Sequence, residues 1–132
     1  MSNTIEEESK IELLPCSFKF HNFDAKISDT NINCQIIKME DCLYLWVGNF
    51  TNQNMEDLSL ALTSNFEKQP IATKIMGSVA DATSTNIAKR LSMKLGKPVY
   101  VSFNLTPDNI TLPEIERRIQ EEFKMHSDLL SF

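Results

Sequence analysis

The chain has 132 residues, of which 42% are hydrophobic and 23% charged, a composition typical of one soluble globular domain. Its net charge of −5 and isoelectric point near 5.0 argue against nucleic-acid binding, which needs a basic face to neutralise phosphates. No stretch approaches the ~20 apolar residues of a membrane span, and the N-terminus lacks the apolar core of a secretory leader, so we expect a cytoplasmic or nuclear protein with no membrane partner.

The two ends of the chain are predicted to be tails. Residues 1–12 carry four glutamates and few large apolar side chains, which is typical of a disordered acidic segment. We predict a single domain over 13–126 and a C-terminal tail over 127–132. Because Cys16, Cys34 and Cys42 are odd in number and lack CxxC spacing, we expect free thiols.

Five strands are predicted before the first helix. Their ranges are 18–27, 34–39, 42–48, 58–62 and 71–76. A polar turn over 28–33 separates the first two, and Glu40-Asp41 makes a tight reversal that favours an antiparallel hairpin. The fourth strand rests on three leucines that alternate with smaller residues, so a short helix remains an alternative there.

The first helix is predicted to follow the Ser-, Asp- and Thr-rich stretch 78–85 and to stop at Gly96 and Pro98. Its apolar stripe is formed by Ile87, Ala88, Leu91 and Leu95. A sixth strand follows over 99–105, where the alternation of apolar side chains resumes.

The second helix is predicted to begin at Thr111, which together with Glu114 has the form of a capping box. Its predicted buried face consists of Leu112, Ile115, Ile119 and Phe123. Arg118 and Glu122 stand four residues apart, and we expect this pair on the solvated side of the helix. The element order is therefore βββββαβα.

The third strand is apolar on both faces. Leu43, Leu45 and Val47 point one way, whereas Tyr44 and Trp46 point the other. Helices of a chain this small can cover one face of a sheet, so the second face implies another packed layer or another protein. We predict Tyr44 and Trp46 as partner-binding residues, with a core position for Trp46 as the alternative.

Met93 is the third candidate for partner binding. It falls almost opposite the apolar stripe of the first helix, so it should face water or a partner. Exposed single apolar residues are common, and that interpretation stands beside the functional one.

The loop 77–85, which runs from Gly77 to Thr85 and precedes a predicted helix, suggests a different class of function. Backbone amides there could bind an anion in a small α+β enzyme or anion-binding domain. The loop lacks the spacing of a phosphate-binding motif, however, and Asp81 would repel a phosphate. No catalytic triad can be assembled and neither histidine has metal-ligand spacing, so we predict no catalytic residue, cofactor or metal site.

Several segments together resemble the proteasome assembly chaperone 4 family, over about residues 17–125. The segments are HNF at 21–23, LYLWVG at 43–48, DATST at 81–85 leading into 87–91, VYVSFNL at 99–105 and IERRI at 115–119. The resemblance implies a mainly antiparallel six-stranded sheet with helices. With the element order above, the fold class is α+β, a single mainly antiparallel sheet of about six strands with two main helices.

The same resemblance implies a non-enzymatic subunit. Family members pair with a related protein, proteasome assembly chaperone 3, and bind an α-type subunit while the α-ring of the 20S proteasome is built. They leave as β-type subunits arrive. These expectations come from the resemblance and not from composition or periodicity.

Overall fold

The computed structural model describes residues 13–14, 16–51 and 53–132. The prediction of an acidic tail over 1–12 falls outside these ranges. Within them, no helix has both the length and the hydropathy needed to cross a membrane.

Six strands and two helices follow one another in the predicted order. The strands are β1 (Lys19–Ile27), β2 (Thr30–Lys38), β3 (Leu43–Gly48), β4 (Leu58–Leu62), β5 (Ile71–Met76) and β6 (Val99–Phe103). The helices are α1 (Thr83–Leu95), between β5 and β6, and α2 (Thr111–Met125), followed by a 3₁₀ turn over Ser127–Leu130. The order βββββαβα and the α+β class are confirmed.

All six strands form one sheet with the spatial order β1-β2-β3-β6-β4-β5. β3 and β6 are parallel, and the other four neighbouring pairs are antiparallel. A parallel pair needs a crossover connection, which here comprises β4, β5 and α1. The crossover brings β6 back into the middle of the sheet, where its neighbours are β3 and β4.

Both helices lie on the same face of the sheet. α1 packs on β4, β5 and β6, whereas α2 packs near β1. The core between helices and sheet is formed by fully buried side chains that include Leu43, Leu45, Val101, Leu91 and Phe123. The opposite face of the sheet has no helix over it among the described residues.

The first hairpin is tighter than predicted. β2 begins at Thr30 instead of Cys34, and the turn consists of Ser28 and Asp29, with Ser28 at a φ of 55°. Asn31 and Asn33, which lie in the predicted turn, are strand residues whose side chains point away from the core. Asn33, for example, donates a hydrogen bond to Asp24 on β1 at 2.6 Å.

The predicted capping box at Thr111 is wrong. Thr111 is already helical, and the carboxylate that caps α2 belongs to Asp108, which accepts hydrogen bonds from the amides of Thr111 at 2.7 Å and Ile110 at 3.1 Å. Two free amides at a helix start need an acceptor, and an aspartate three residues upstream supplies it.

The solvated position predicted for Glu122 is also wrong, because its side chain is only 5% exposed. α2 turns this residue towards β1, where hydrogen bonds to other side chains compensate for its lost hydration. The three cysteines form no disulfide, as expected.

Candidate protein-interaction surface

The helix-free side of the sheet, here called the open face, carries a row of apolar and aromatic side chains. Cross-strand pairing places Ile37 beside Tyr44, Tyr44 beside Tyr100, and Tyr100 beside Leu60. The row thus crosses β2, β3, β6 and β4 without a charged residue. All four side chains are only partly buried, whereas the neighbours of Tyr44, Tyr100 and Leu60 along their strands are fully buried beneath the helices.

The fourth strand, β4, contributes its leucines to this row, and its sequence alone does not indicate which face they occupy. Ser59 and Ala61 point beneath the helices and are fully buried, so Leu58, Leu60 and Leu62 point to the open face. At the sheet edge Leu62 pairs with Ile71, and both side chains are largely exposed. The apolar surface therefore continues from the sheet centre to β5.

Between β3 and β4, loop residues 49–51 and 53–57 lie over one end of the open face. The Trp46 indole donates a hydrogen bond to the carbonyl oxygen of Asn54 at 3.2 Å, and the Tyr44 hydroxyl donates to the Met55 sulfur at 3.6 Å. Burial raises the pKa of the Tyr44 hydroxyl, and a hydrogen bond with Ser102 lowers it only in part, so this group remains a donor at neutral pH. The loop thus holds both aromatic side chains in place through hydrogen bonds from the indole N–H and the phenol hydroxyl.

An open hollow of about 500 Å³ remains between this loop and the strands. Tyr44, Trp46, Phe50 and Met55 line its apolar side. Its polar side is formed by Asn22, Asn33, Gln35 and Gln53. The hollow therefore combines apolar area with neutral hydrogen-bonding groups, as the surfaces that bind other proteins do.

Gly48 sets the position of the indole. A Cβ atom at this residue would collide with the six-membered ring of Trp46, which lies directly against the backbone. Glycine here lets the ring lie flat on the strand end, where it packs without entering the core.

The structure brings two of the three predicted partner-binding residues together. Tyr44 and Trp46 lie two residues apart on the open face and share the hollow. Met93 is 52% exposed on α1, beside Asn86, Lys89 and Arg90, on the other side of the sheet. Sequence reasoning did not select Ile37, Leu60 or Tyr100, although period-two alternation would have found Tyr100 next to the buried Val99 and Val101.

A family model for proteasome assembly chaperone 4 matches residues 31–105, more than half of the chain. Proteasome assembly chaperone 4 from Mus musculus is 37% identical over 106 residues, which cover 79% of this chain and 84% of the mouse protein. The Homo sapiens protein is 36% identical over the same shares. The chain belongs to the proteasome assembly chaperone 4 family. The resemblance noted in the sequence is confirmed.

A solved structure supports the fold of this family member independently. A chain from a crystal structure described as a novel chaperone complex for yeast 20S proteasome assembly superposes with a TM-score of 0.62. The match covers 86% of the present chain and 98% of the yeast chain, at 11% sequence identity. At that identity the likeness concerns the fold alone.

The loop 77–85 does not form an accessible anion site in this proteasome assembly chaperone 4 family member. Ser84 is 1% exposed, and its hydroxyl is hydrogen-bonded to Ser59 at 2.7 Å and to the Lys74 ammonium at 2.9 Å. The Asp81 carboxylate accepts a hydrogen bond from the Thr83 amide at 3.0 Å, and this bond lowers the pKa of the Asp81 carboxyl. A carboxylate thus already accepts a hydrogen bond from the first amide of the helix, and the Ser84 hydroxyl is buried and hydrogen-bonded within the protein.

The structure also assembles a group that sequence reasoning missed. Nε2 of His21 on β1 lies 2.6 Å from Oε1 of Glu122 on α2, and Nε2 of His126 lies 3.4 Å from the same oxygen. The other oxygen of Glu122 accepts a hydrogen bond from Arg118 at 2.7 Å. The separation of four between Glu122 and His126 was readable from the sequence, whereas the approach of His21, 101 residues away, was not.

Proposed function

We propose that this chain is a non-enzymatic proteasome assembly chaperone that acts as one subunit of a heterodimer. Its partner in this proposal is a related chaperone of the proteasome assembly chaperone 3 type. The pair binds an α-type subunit, favours the addition of its neighbours to the 20S α-ring, and dissociates afterwards. We place this activity in the cytoplasm and the nucleus, without nucleic-acid or membrane partners.

The observation that carries this proposal is the apolar open face. Four of the six strands present Ile37, Tyr44, Tyr100 and Leu60 to the side that lacks helices. These four side chains are partly exposed, and a chain that folded only for itself would gain nothing by leaving apolar area in water, because burying a whole apolar side chain contributes about 1.5–3 kcal/mol. A second protein can provide that burial.

Aromatic residues at the centre of such a surface favour specific recognition of a partner over nonspecific hydrophobic association. Tyr and Trp bury a large area with few rotatable bonds, and they dominate the binding energy of many interfaces. Here Asn54 and Met55 already hold Trp46 and Tyr44 by hydrogen bonds, so a partner would meet a preformed surface.

Met93 belongs to a separate contact in this proposal. It lies on the helical side of the molecule beside Lys89 and Arg90, so a flat partner on the open face cannot reach it. Two surfaces on opposite sides suit a protein that must bind a companion chaperone and a client subunit together. The open face is assigned to the companion and the Met93 side to the client.

The proposal is tested by titrating the related chaperone against Trp46→Ala and Met93→Ala at matched folded fractions. We expect Trp46→Ala to weaken binding by about 2 kcal/mol, or roughly 30-fold, because a central Trp is commonly worth that much. Met93→Ala should leave this affinity nearly unchanged, since its side chain lies across the sheet. Equal losses for the two variants would contradict an interface centred on β3.

The cellular role is tested by affinity purification of the full chain from cells that assemble proteasomes. Recovery of a related chaperone together with an α-type subunit is expected. If neither protein is recovered under gentle lysis, the chaperone proposal fails, even if the purified chain is well folded.

A further inference from the structure

The group formed by His21, Glu122 and His126 has the composition of a transition-metal site. His21 lies on β1, whereas Glu122 and His126 lie one turn apart where α2 ends. One ligand atom from each side chain can be chosen so that all three atoms lie within 4.8 Å of one another. We propose that these three residues bind one Zn²⁺ ion, which links the first strand to the last helix.

The distances fit this ion after a small adjustment. Zn²⁺ binds imidazole nitrogen and carboxylate oxygen at about 2.0–2.2 Å in tetrahedral geometry, so neighbouring ligand atoms stand roughly 3.3–3.5 Å apart. The gap of 3.4 Å between His126 and Glu122 already has this value. The gap of 2.6 Å between His21 and Glu122 must widen by less than about 1 Å. The third gap, between the two imidazole nitrogens, is at most 4.8 Å and must come to the same tetrahedral spacing, so both rings have to turn as the ion binds.

The surroundings orient the carboxylate for this role. Arg118 binds Oε2 of Glu122 at 2.7 Å, which leaves Oε1 directed at both histidines. The guanidinium of Arg118 is itself held 4.8 Å above the ring of Phe23. Such outer partners fix the orientation of ligands in known metal sites, and their loss typically weakens metal affinity by about 10- to 100-fold.

Access and ligand chemistry indicate which ion would bind. Glu122 is buried, but the His126 side chain is 45% exposed and the His21 side chain 22% exposed, so an ion can enter from solvent. Two neutral imidazoles and one carboxylate favour Zn²⁺, Co²⁺ or Ni²⁺ over Mg²⁺ and Ca²⁺, which prefer oxygen ligands throughout. Three protein ligands leave a fourth position for water.

In the folded protein the bound ion would act as a metal-dependent cross-link between β1 and the end of α2. β1 is an edge strand of the sheet, and α2 leads into the turn at Ser127–Leu130, so the ion would join the beginning and the end of the described fold. Because the three ligands converge only in the folded chain, binding stabilises the native state by linkage. This inference is independent of the chaperone proposal.

The test uses the full chain without an affinity tag, titrated with Co²⁺ and with Zn²⁺. We expect one Co²⁺ per chain with the visible absorption of a tetrahedral nitrogen and oxygen site, displacement by Zn²⁺, and a Tm that rises with Zn²⁺ concentration. His126→Ala should weaken Zn²⁺ binding at least ~10-fold, so that the same Tm rise requires at least ~10-fold more Zn²⁺. Met125→Ala, an exposed neighbour on the same helix, is the matched control and should bind normally.

Two results would overturn the proposal. One is the absence of saturable 1:1 binding in the folded wild-type chain. The other is binding that His126→Ala leaves unchanged, or that shows the intense near-ultraviolet charge-transfer band of cobalt bound to a thiolate, which would assign the metal to Cys16 or Cys42. Because His126 is exposed at a helix end, its variant is expected to fold, and a wild-type circular dichroism spectrum verifies this.

Discussion

At the scale of single residues, Asp57 is the polar side chain on which the most surrounding structure depends. Its carboxylate pairs with the Lys74 ammonium and also accepts the amide of Phe103 at 3.1 Å. Both partners of the ion pair are at least 88% buried, and Lys74 donates a further hydrogen bond to Ser84 at 2.9 Å. One carboxylate thus joins β5 to β6, and its Lys74 partner extends the connection to α1.

Asp57→Ala should lower the free energy of unfolding by about 3–5 kcal/mol, because it leaves the Lys74 charge buried without a partner. Urea denaturation of the variant beside wild type measures this loss. Asp41→Ala is the matched control, since Asp41 is 87% exposed and stands 3.7 Å from Lys97. A surface pair of this kind contributes little, so similar losses in the two variants would refute the importance of burial.

Trp46 shows how far prediction can go at this scale. The alternation within β3 correctly separated Tyr44 and Trp46 from the buried Leu43 and Leu45. The same argument could not tell that a loop would tie the indole through Asn54, because a hydrogen bond to a backbone oxygen leaves no pattern in side-chain types. Their role in binding a partner stays a prediction.

At the scale of elements, the start of α2 illustrates competition between two local signals. Thr111 and Glu114 have the form of a capping box, and Asp108 three residues earlier is also a good cap. The helix begins at Thr111 with Asp108 as the acceptor. Both caps are locally acceptable, and the observed one leaves Thr111 within the helix with its side chain buried.

Asp108→Ala should lower the Tm, whereas Asp108→Asn should lower it less, because an asparagine oxygen still accepts the Thr111 amide. Thermal unfolding monitored by circular dichroism measures both variants. Asn109→Ala, an exposed neighbour outside these hydrogen bonds, is the control. Equal Tm values for Asp108→Ala and wild type would show that the cap contributes nothing.

The acid dependence of this cap follows from its pKa. The hydrogen bond from the Thr111 amide lowers the pKa of Asp108 in the folded state. A carboxylate with a lowered folded pKa contributes stability above its unfolded pKa and loses it as pH falls through the folded value. The Tm difference between wild type and Asp108→Ala should therefore be full near pH 6 and shrink below about pH 4.

At the scale of the whole molecule, the one-sided placement of the helices gives the strands unequal protection. β3 and β6 lie in the middle of the sheet and carry fully buried residues such as Leu45 and Val101. β5 is an edge strand, most of whose large side chains are exposed. Local opening should therefore cost least at β5 and most at the central pair.

Hydrogen exchange of the free chain measures this order. The amides of β3 and β6 should exchange most slowly, at rates near those of global unfolding, and those of β5 should exchange faster. The paired amides of β4 lie between and serve as an internal reference. Protection in β5 equal to that in β6 would contradict a sheet whose stability decreases towards this edge.

The sequence by itself determined the order of strands and helices, the class of the fold and the two-sided character of β3, because period-two and period-3.6 patterns are properties of neighbouring residues. Tertiary structure decided that β6 enters between β3 and β4, and that the leucines of β4 face away from the helices. It also decided that His21 meets Glu122 and that Asp57 holds Lys74. These outcomes depend on which faces pack together across long separations in the chain, and only the folded arrangement as a whole minimises the cost of buried polar groups and exposed apolar area.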